Sequence, residues 1–302
     1  MKFFYQKIWW RIAIFFNRNF YRGGLFSIIF LMPLSIRKKH PRWLSLSGYL
    51  SRKCKIVSIE RKNENFLIKS KKYIFEVPFV SDDFFDILYP FLEISNYKVE
   101  NLLNNPFFSE GCYLTDNCCL RCGDTVVDAG TNVGFFTILA SKLVGDSGKI
   151  YSFEPVKEAA TILKNNININ NCKNIEIVEK ALGDQEGDIE FYIDSENLFE
   201  GSSSVIKPES EKSRRKIQQT TIDDFVIANK IEQIDFIKVD IEGAERYMLK
   251  GAEQTIKRFK PMISIRTYHL PDDPEVIEKI LKSYVPEYKI EKFFDKTLRA
   301  FI

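Results

Sequence analysis

Two short segments of the 302-residue sequence hold residue types that suit ligand chemistry. In the first, TVVDAGTNVG from Thr125 to Gly134, a buried strand is predicted to lead through a glycine turn into a helix. Glycines let a ligand approach the backbone, and the start of the helix offers free N–H donors. The spacing Asp-x-Gly-x-x-x-Gly places an acid before the turn, unlike the dinucleotide fingerprint. This acid favours the cationic S-adenosylmethionine over NAD, bound through Asp128, Gly130, Asn132 and Gly134.

Two later strand ends extend the predicted cofactor site. Glu154 closes the second predicted strand, twenty residues after Gly134. A carboxylate at that point can accept hydrogen bonds from both hydroxyl groups of a ribose. The third predicted strand is followed by Ala181 and Leu182, where the edge of an adenine could lie, although an ordinary turn explains this segment equally well.

The second segment is IKVDIEG, from Ile237 to Gly243. Open α/β sheets bind ligands at the carboxyl ends of their strands, so Asp240 and Glu242 lie at the expected ligand edge. Two acids this close could orient a substrate, contact the amino group of the cofactor or hold a divalent cation, and no metal site is assigned. Glu245 is explained as an acid in the first turn of a helix, where it complements the helix dipole.

His269 is the predicted general base. The chain has two histidines, and this one follows the fifth predicted strand, on the same sheet edge as Asp240. Imidazole titrates near neutral pH, which suits a group that must accept a proton. Asp240 is the alternative base, and Glu242 completes the predicted catalytic group.

The fold class follows from the alternation of strands and helices after Gly123, which predicts a parallel sheet covered on both faces. The predicted fold is α/β, with a Rossmann-like, doubly wound, mostly parallel seven-stranded sheet over residues 121–302. Its predicted strands are Thr125–Ala129, Lys149–Phe153, Ile175–Lys180, Asp235–Val239 and Pro261–Thr267, then an antiparallel pair at Tyr288–Phe294 and Leu298–Ile302. Its predicted helices are Phe135–Val144, Lys157–Asn168, Thr221–Asn229, Ala244–Arg258 and Pro274–Leu281, the last with Asp273 as N-cap.

Other segments flank these elements. Gly187–Ile193 is predicted as an extra strand, and the polar residues Ser195–Lys216 as a mobile loop over the site. Residues 51–120 are predicted to form a small α+β region. Its predicted elements are strands at Ile56–Ile59, Phe66–Ile68 and Tyr73–Val77 and a helix at Asp82–Leu92.

The first 50 residues form a separate basic, aromatic segment. Residues 1–59 contain twelve Lys and Arg and no acid, whereas the remaining 243 residues have 32 basic and 41 acidic side chains. A predicted helix gathers Lys7, Arg11, Arg18 and Arg22 on one face and aromatic residues on the other, which is typical of a membrane-interface helix. Packing onto its own domain is the alternative, and nucleic-acid binding ranks third. Residues 1–34 are therefore predicted to contact an anionic membrane surface, with the protein cytoplasmic and peripheral.

Four cysteines lie close together, at Cys112, Cys118, Cys119 and Cys122. The pair separated by two residues has the spacing of zinc ligands, but the second such pair of a zinc site is missing. Free thiols in a reducing compartment are the preferred interpretation.

Taken together, these motifs resemble the FkbM-family methyltransferases over residues 110–302. The resemblance rests on Val126–Thr137, Glu154-Pro155, Gly201–Ser204, Lys238–Gly243, Leu249–Ala252 and Lys260-Pro261. It implies methylation of a hydroxyl oxygen, often on a sugar of a glycan or on a secondary metabolite, with substrate contacts from Ser203, Ser204, Lys238 and Arg266. The family often has an acid near the end of the fifth strand. Arg266 stands there in this chain, which would suit an anionic substrate.

Two other classes of function remain open from the sequence. An RNA methyltransferase or RNA-binding protein would use the basic N-terminal segment, but the acidic domain after it, which lacks an Asn/Asp-Pro-Pro-aromatic motif, disfavours a nucleic-acid partner. A non-catalytic membrane-bound adaptor would keep the fold without the reaction. The intact glycine loop, Glu154 and Asp240 argue against the adaptor.

Overall fold

The computed structural model describes residues 56–62, 65–70, 73–78, 113–193, 213–292 and 297–302. The predicted N-terminal helix, the predicted helix over 82–92 and most of the predicted loop over 195–216 lie outside these residues. The predicted substrate residues Ser203 and Ser204 also lie outside them. In the described part of the chain, no helix is long and apolar enough to cross a membrane.

A small antiparallel sheet comes first in the chain. Its strands are β1 (Ile56–Lys62), β2 (Asn65–Ser70) and β3 (Ile74–Pro78), paired in that order. The three short strands predicted here are confirmed, although β1 and β2 extend beyond their predicted residues.

Seven strands of the described chain form the central sheet. They are β4 (Thr125–Ala129), β5 (Lys149–Phe153), β6 (Ile175–Val178), β10 (Phe236–Val239), β11 (Met262–Arg266), β12 (Lys289–Lys292) and β13 (Thr297–Phe301). Their order is β12-β13-β11-β10-β4-β5-β6. The neighbours from β11 to β6 pair in parallel, and β13 is antiparallel to both β11 and β12. The predicted seven-stranded, mostly parallel sheet with a final antiparallel pair is confirmed.

Helices cover both faces of this sheet. They are α1 (Phe135–Val144), α2 (Lys157–Ile169), α3 (Ile222–Ala228), α4 (Glu245–Lys250), α5 (Glu253–Phe259) and α6 (Asp273–Tyr284). On one face, Val126 and Ile150 pack with residues of α1 and α2. On the other face, Val127 and Ile237 pack with residues of α3 to α6. Burial on both faces explains why the strands have apolar runs instead of an alternating pattern.

The prediction of one helix over Ala244–Arg258 is wrong, because α4 and α5 are separate. Gly251 lies between them, and a Cβ atom there would lie 2.0 Å from the carbonyl oxygen of Gly183. The two backbone segments are therefore too close for any residue but glycine. The carboxylate of Asp223 accepts hydrogen bonds from the backbone N–H groups of Gln254 and Thr255 (2.9 and 2.8 Å). Asp223 therefore caps a new helix start within the sequence that predicted a continuous helix.

The start of α6 also differs from the prediction. Asp272 is its N-cap, and Asp273 is its first residue. The Asp273 carboxylate accepts a hydrogen bond from the N–H of Leu270 (2.9 Å) and forms an ion pair with Arg246 (2.7 Å). Asp273 thus fixes the loop before the helix.

A second three-stranded sheet lies beside the central one. It contains β7 (Ala181–Leu182), β8 (Gly187–Ile193) and β9 (Ser213–Thr220), in the order β7-β9-β8. The predicted extra strand is confirmed as β8. The prediction of a loop as far as Lys216 is wrong from Ser213 onward, because the polar residues of β9 pair with β8 and only alternate residues need to be apolar.

The small first sheet packs on α2 through two asparagines spaced four residues apart. The Asn166 side chain accepts a hydrogen bond from the N–H of Glu76 (2.6 Å) and donates to its carbonyl (2.9 Å). Asn170 makes the same pair of bonds with Ile74. The two side-chain amides therefore pair with the backbone N–H and carbonyl groups at the edge of β3, as a neighbouring strand would.

Candidate active site

The glycine loop between β4 and α1 lies against the end of β10. Gly130 and Gly134 have φ angles of 77° and 93°. A Cβ atom at Gly130 would lie 1.8 Å from the carbonyl oxygen of Asp240, and one at Gly134 would lie 2.3 Å from Leu163. Both positions therefore require glycine for conformation and for space.

Glu154, at the end of β5, holds the loop in place. One carboxylate oxygen accepts a hydrogen bond from the N–H of Asn132 (2.7 Å), and the other accepts from the N–H of Val156 (2.9 Å). Burial raises the pKa of Glu154 to about 7, although these backbone donors and the charge of Lys238 oppose the rise. Each oxygen keeps a further lone pair that could accept a ligand hydroxyl.

Lys238 and Asp128 form a buried ion pair beneath the loop. Their ammonium nitrogen and carboxylate oxygen Oδ1 lie 3.2 Å apart, and the side chains are 5% and 0% exposed. The ammonium also donates to the carbonyl of Gly130 (2.6 Å), while the Asp128 Oδ2 atom accepts from the hydroxyl of Thr137 (2.6 Å). Lys238, predicted from the family resemblance to contact substrate, is placed by this geometry as a support for the loop.

An open cleft of about 790 Å³, including space continuous with solvent, lies above the ends of the strands. Six of the eight predicted cofactor residues line it: Gly130, Asn132, Glu154, Ala181, Leu182 and Asp240. The other two, Asp128 and Gly134, do not line the cleft and support the loop from below. Glu242, from the predicted catalytic group, lines it as well.

Asp240 is held at the cleft by aromatic and cationic neighbours. The hydroxyl of Tyr113 donates to its Oδ2 atom (2.6 Å), and the hydroxyl of Tyr268 lies 3.5 Å from Oδ1. The Arg266 Nε atom lies 3.9 Å from Oδ2 and donates to the Tyr113 hydroxyl (3.3 Å). Arg266, predicted to bind substrate, is 3% exposed and also bonds Thr297, so it lies behind Asp240 and Tyr113.

His269 lies among three carboxylates. Its Nε2 atom is 3.1 Å from Glu242 Oε2 and 4.0 Å from Asp240 Oδ1, and its Nδ1 atom is 3.1 Å from Glu245 Oε1. These are ion-pair distances, and neither ring nitrogen makes an aligned hydrogen bond. The side chain is 10% exposed and does not line the cleft.

The charge of this group follows from burial and from the acids. Burial lowers the pKa of His269, but Glu242 and Glu245 outweigh it and raise the pKa to about 10. The ligand-free ring is therefore cationic at neutral pH and has no lone pair for a proton, unlike the neutral-range base that the sequence predicted. Burial raises the pKa of Glu242, with Asp240 adding to the rise and His269 opposing it.

Sequence reasoning missed Tyr113 and underrated Glu245. Tyr113 precedes the glycine segment and belongs to no periodic pattern, so no signal in the sequence indicated it. Glu245 was assigned only to the helix dipole, but it is 0% exposed and accepts a hydrogen bond from the N–H of Ile241 (3.0 Å). This bond ties the loop after β10 to the first residue of α4.

The cysteine segment makes no metal site among the described residues. Cys118, Cys119 and Cys122 are free thiols, and Cys118 is buried. Burial raises the pKa of Cys118 to about 12, which keeps it protonated.

Comparison with known proteins gives matches to methyltransferases. Residues 128–288 match the model of the family described as Methyltransferase FkbM domain. Methyltransferase sdnD of Sordaria araneosa is 25% identical over 189 residues, which are 52% of this chain and 71% of that protein. Methyltransferase 1 of Beauveria bassiana (strain ARSEF 2860) is 22% identical over 173 residues, 50% of this chain and 66% of that protein.

A solved structure is also among the matches. The crystal structure of Methyltransferase FkbM from Methylobacillus flagellatus KT aligns with a TM-score of 0.49 and 19% identity. The alignment covers 72% of this chain and 55% of that chain, so this chain spans about half the length of the solved protein.

Replacing Lys238 with Met should leave the Asp128 carboxylate buried without its cation. We expect the free energy of unfolding to fall by about 3–5 kcal/mol, which is typical of a buried pair broken on one side. Urea denaturation measures this change. The control is Lys164→Met, which alters an exposed lysine on α2 and should change stability by less than about 0.5 kcal/mol. Equal stability of the two variants would show that the ion pair does not support the fold.

Proposed function

Because the chain belongs to the FkbM methyltransferase family, we propose that it transfers a methyl group from S-adenosylmethionine to a hydroxyl oxygen of a small acceptor. It is a methyltransferase, and S-adenosylmethionine is its cofactor. The observation that carries the proposal is the acidic edge of the cleft, where Asp240 and Glu242 lie beside the glycine loop. The acceptor that we propose is a sugar of a glycan or a secondary metabolite.

The cofactor position that we propose follows the lining of the cleft. Glu154 would accept hydrogen bonds from the ribose hydroxyls through its remaining lone pairs. The adenine would lie near Ala181 and Leu182, which are buried and apolar. The positive charge of the cofactor would then face Asp240. The backbone of Asp240 lies in contact with Gly130.

The proposed reaction needs a proton acceptor near the acceptor hydroxyl. The hydroxyl oxygen forms a bond with the methyl carbon while the carbon–sulfur bond breaks, and the electron pair of that bond stays on sulfur. The product is S-adenosylhomocysteine, and the hydroxyl proton passes to a carboxylate. We propose Asp240 for this role because it lines the cleft, whereas His269 lies behind Glu242 and faces Glu245. Alignment of oxygen, methyl and sulfur would supply most of the rate.

The proposed role of Glu154 gives cofactor binding a pH dependence. The pKa of Glu154 is raised from 4.5 to about 7, so a ligand that needs the carboxylate binds more weakly as pH falls through that value. We expect the affinity for S-adenosylmethionine to be about tenfold lower at pH 6 than at pH 8, by the linkage of binding and protonation. Calorimetric titration at several pH values measures this. NAD should not bind.

Glu154→Gln is the matched control for this titration. Glutamine keeps the size of the side chain and cannot ionise. The affinity of this variant for S-adenosylmethionine should therefore be about tenfold lower than that of the wild type at pH 8 and should change less with pH. The ratio of the two affinities cancels the ionisation of the cofactor's own amino group. Charged Lys238 and Asp128 also act on Glu154, and both are unchanged in the variant. Identical pH profiles would remove Glu154 from cofactor recognition.

The acceptor class is tested with cofactor that carries a labelled methyl group. We expect label in free sugars, glycosides or hydroxylated metabolites and none in total RNA tested in parallel. With an acceptor in hand, Asp240→Asn should lower turnover by roughly 10²–10⁴-fold, as expected for a lost proton acceptor. The control is Asp188→Asn, an exposed acid on β8. Label in RNA alone would replace the hydroxyl proposal with RNA methylation, and label in no acceptor would favour the adaptor.

We also propose that the basic N-terminal segment brings the protein to an anionic membrane surface, where it would meet a lipid-linked acceptor. The proposal rests on the sequence pattern of residues 1–34, with basic and aromatic faces on one predicted helix. Replacing Lys7, Arg11, Arg18 and Arg22 with Gln in the full-length chain should abolish sedimentation with vesicles that contain phosphatidylserine. Each basic residue contributes about 1 kcal/mol near such a surface. Equal sedimentation of both proteins would contradict the proposal.

A further inference from the structure

The strongest unassigned feature is the group formed by Asp240, Glu242 and His269. One ligand atom from each residue can be chosen so that all three lie within 4.8 Å of one another. The two carboxylates follow β10 and the imidazole follows β11, so neighbouring parallel strands bring them together. We infer that this group is a site for a divalent cation of the Mg²⁺ or Mn²⁺ class. This inference goes beyond the sequence analysis, which assigned no metal site.

The two distances from the imidazole are compatible with octahedral coordination. Such a site has metal–ligand bonds of about 2.0–2.1 Å, which place adjacent ligands about 3 Å apart and opposite ligands about 4 Å apart. The Nε2 atom of His269 lies 3.1 Å from Glu242 Oε2 and 4.0 Å from Asp240 Oδ1. Glu242 and the imidazole would therefore hold neighbouring positions around the cation, and Asp240 would supply the third ligand. Three protein ligands leave three positions for water or for acceptor oxygens.

His269 supplies an independent observation that points to a ligand. Its side chain is nine-tenths buried, its Nε2 atom faces the two carboxylates, and neither ring nitrogen has an aligned hydrogen-bond partner. The ligand-free ring is compensated by the carboxylates at ion-pair distance, and a cation bound at Nε2 would displace the ring proton and take the same carboxylates as ligands.

Glu245 gives the imidazole the second contact that metal-binding histidines have. Histidine ligands usually donate the other ring N–H to a carboxylate, which fixes the tautomer and the ring orientation. Glu245 Oε1 lies 3.1 Å from Nδ1, and the residue is fully buried. The backbone bond from Ile241 to the same oxygen fixes the carboxylate. Glu245 is thus a positioning residue for the cation site.

The charges of the group agree with an added cation. Asp240, Glu242 and Glu245 place three carboxylates around one ring, with Arg266 3.9 Å from Asp240, while Lys238 is paired with Asp128. Carboxylate oxygens suit Mg²⁺ and Mn²⁺, and one imidazole is compatible with Mn²⁺. The role of the cation rests on the proposed function: it would hold the acceptor hydroxyl and polarise it.

Mn²⁺ alone is the probe, added to the full-length protein without cofactor or acceptor. Free Mn²⁺ has a six-line paramagnetic resonance signal that disappears when the ion binds. We expect one saturable site per chain, weakened about 10–100-fold in Glu242→Gln and in His269→Gln. Glu245→Gln keeps the three ligands and should weaken binding about tenfold. The matched control is His40→Gln, which changes the only other histidine of the chain and should bind as the wild type does.

A second measurement does not depend on the folding of any variant. Electron spin-echo spectra of Mn²⁺ bound to the wild type should show one imidazole nitrogen coupling, which changes on labelling histidine with ¹⁵N and persists in His40→Gln. Absence of saturable Mn²⁺ binding, absence of the nitrogen coupling, or equal affinity in folded Glu242→Gln would each overturn the inference. These measurements do not involve S-adenosylmethionine, so they can contradict the cation site without contradicting the proposed methyl transfer, and the reverse is also true.

Discussion

The ligand edge of the sheet depends on the buried ion pair between Lys238 and Asp128. The two residues face each other in the pairing of β10 with β4, so the strand register itself brings the charges together. The same ammonium holds the carbonyl of Gly130, which joins the register to the conformation of the glycine loop. Register, charge and loop shape are therefore one constraint, because a shift of one residue would separate the charges and release the loop.

The position of Asp240, the proposed proton acceptor, follows from that constraint. Asp240 comes two residues after Lys238, and its carbonyl touches Gly130. Backbone packing thus holds the glycine loop and Asp240 at contact distance before any ligand is bound. Tyr113 and Arg266 then fix the carboxylate itself. Because the site is already ordered, aligning the reacting atoms does not require a further free-energy cost for ordering these residues.

The sequence predicted the bounds of β4, β5 and α1 correctly, because buried strands and a glycine turn have strong local patterns. Six of the eight residues that it predicted for the cofactor line the cleft, since strand ends meet at one edge of the sheet. It did not give the structural roles of Lys238 and Glu245, because the role of a charged residue depends on whether it is buried and on what lies opposite. The break between α4 and α5 was hidden for the same reason, since Asp223 caps α5 from a distant position.

In the proposed position of the cofactor, the charge of the cleft connects cofactor binding with product release. Among the described residues that line it, three are acids (Glu154, Asp240 and Glu242) and Lys180 is the one cation. The sulfonium of S-adenosylmethionine carries a positive charge, whereas the sulfur of S-adenosylhomocysteine is neutral. An acidic, partly buried edge attracts the first more strongly than the second, because low dielectric strengthens charge interactions. Methyl transfer therefore removes the charge that such an edge attracts, so the acids that favour binding of the cofactor do not retain the product in the same way.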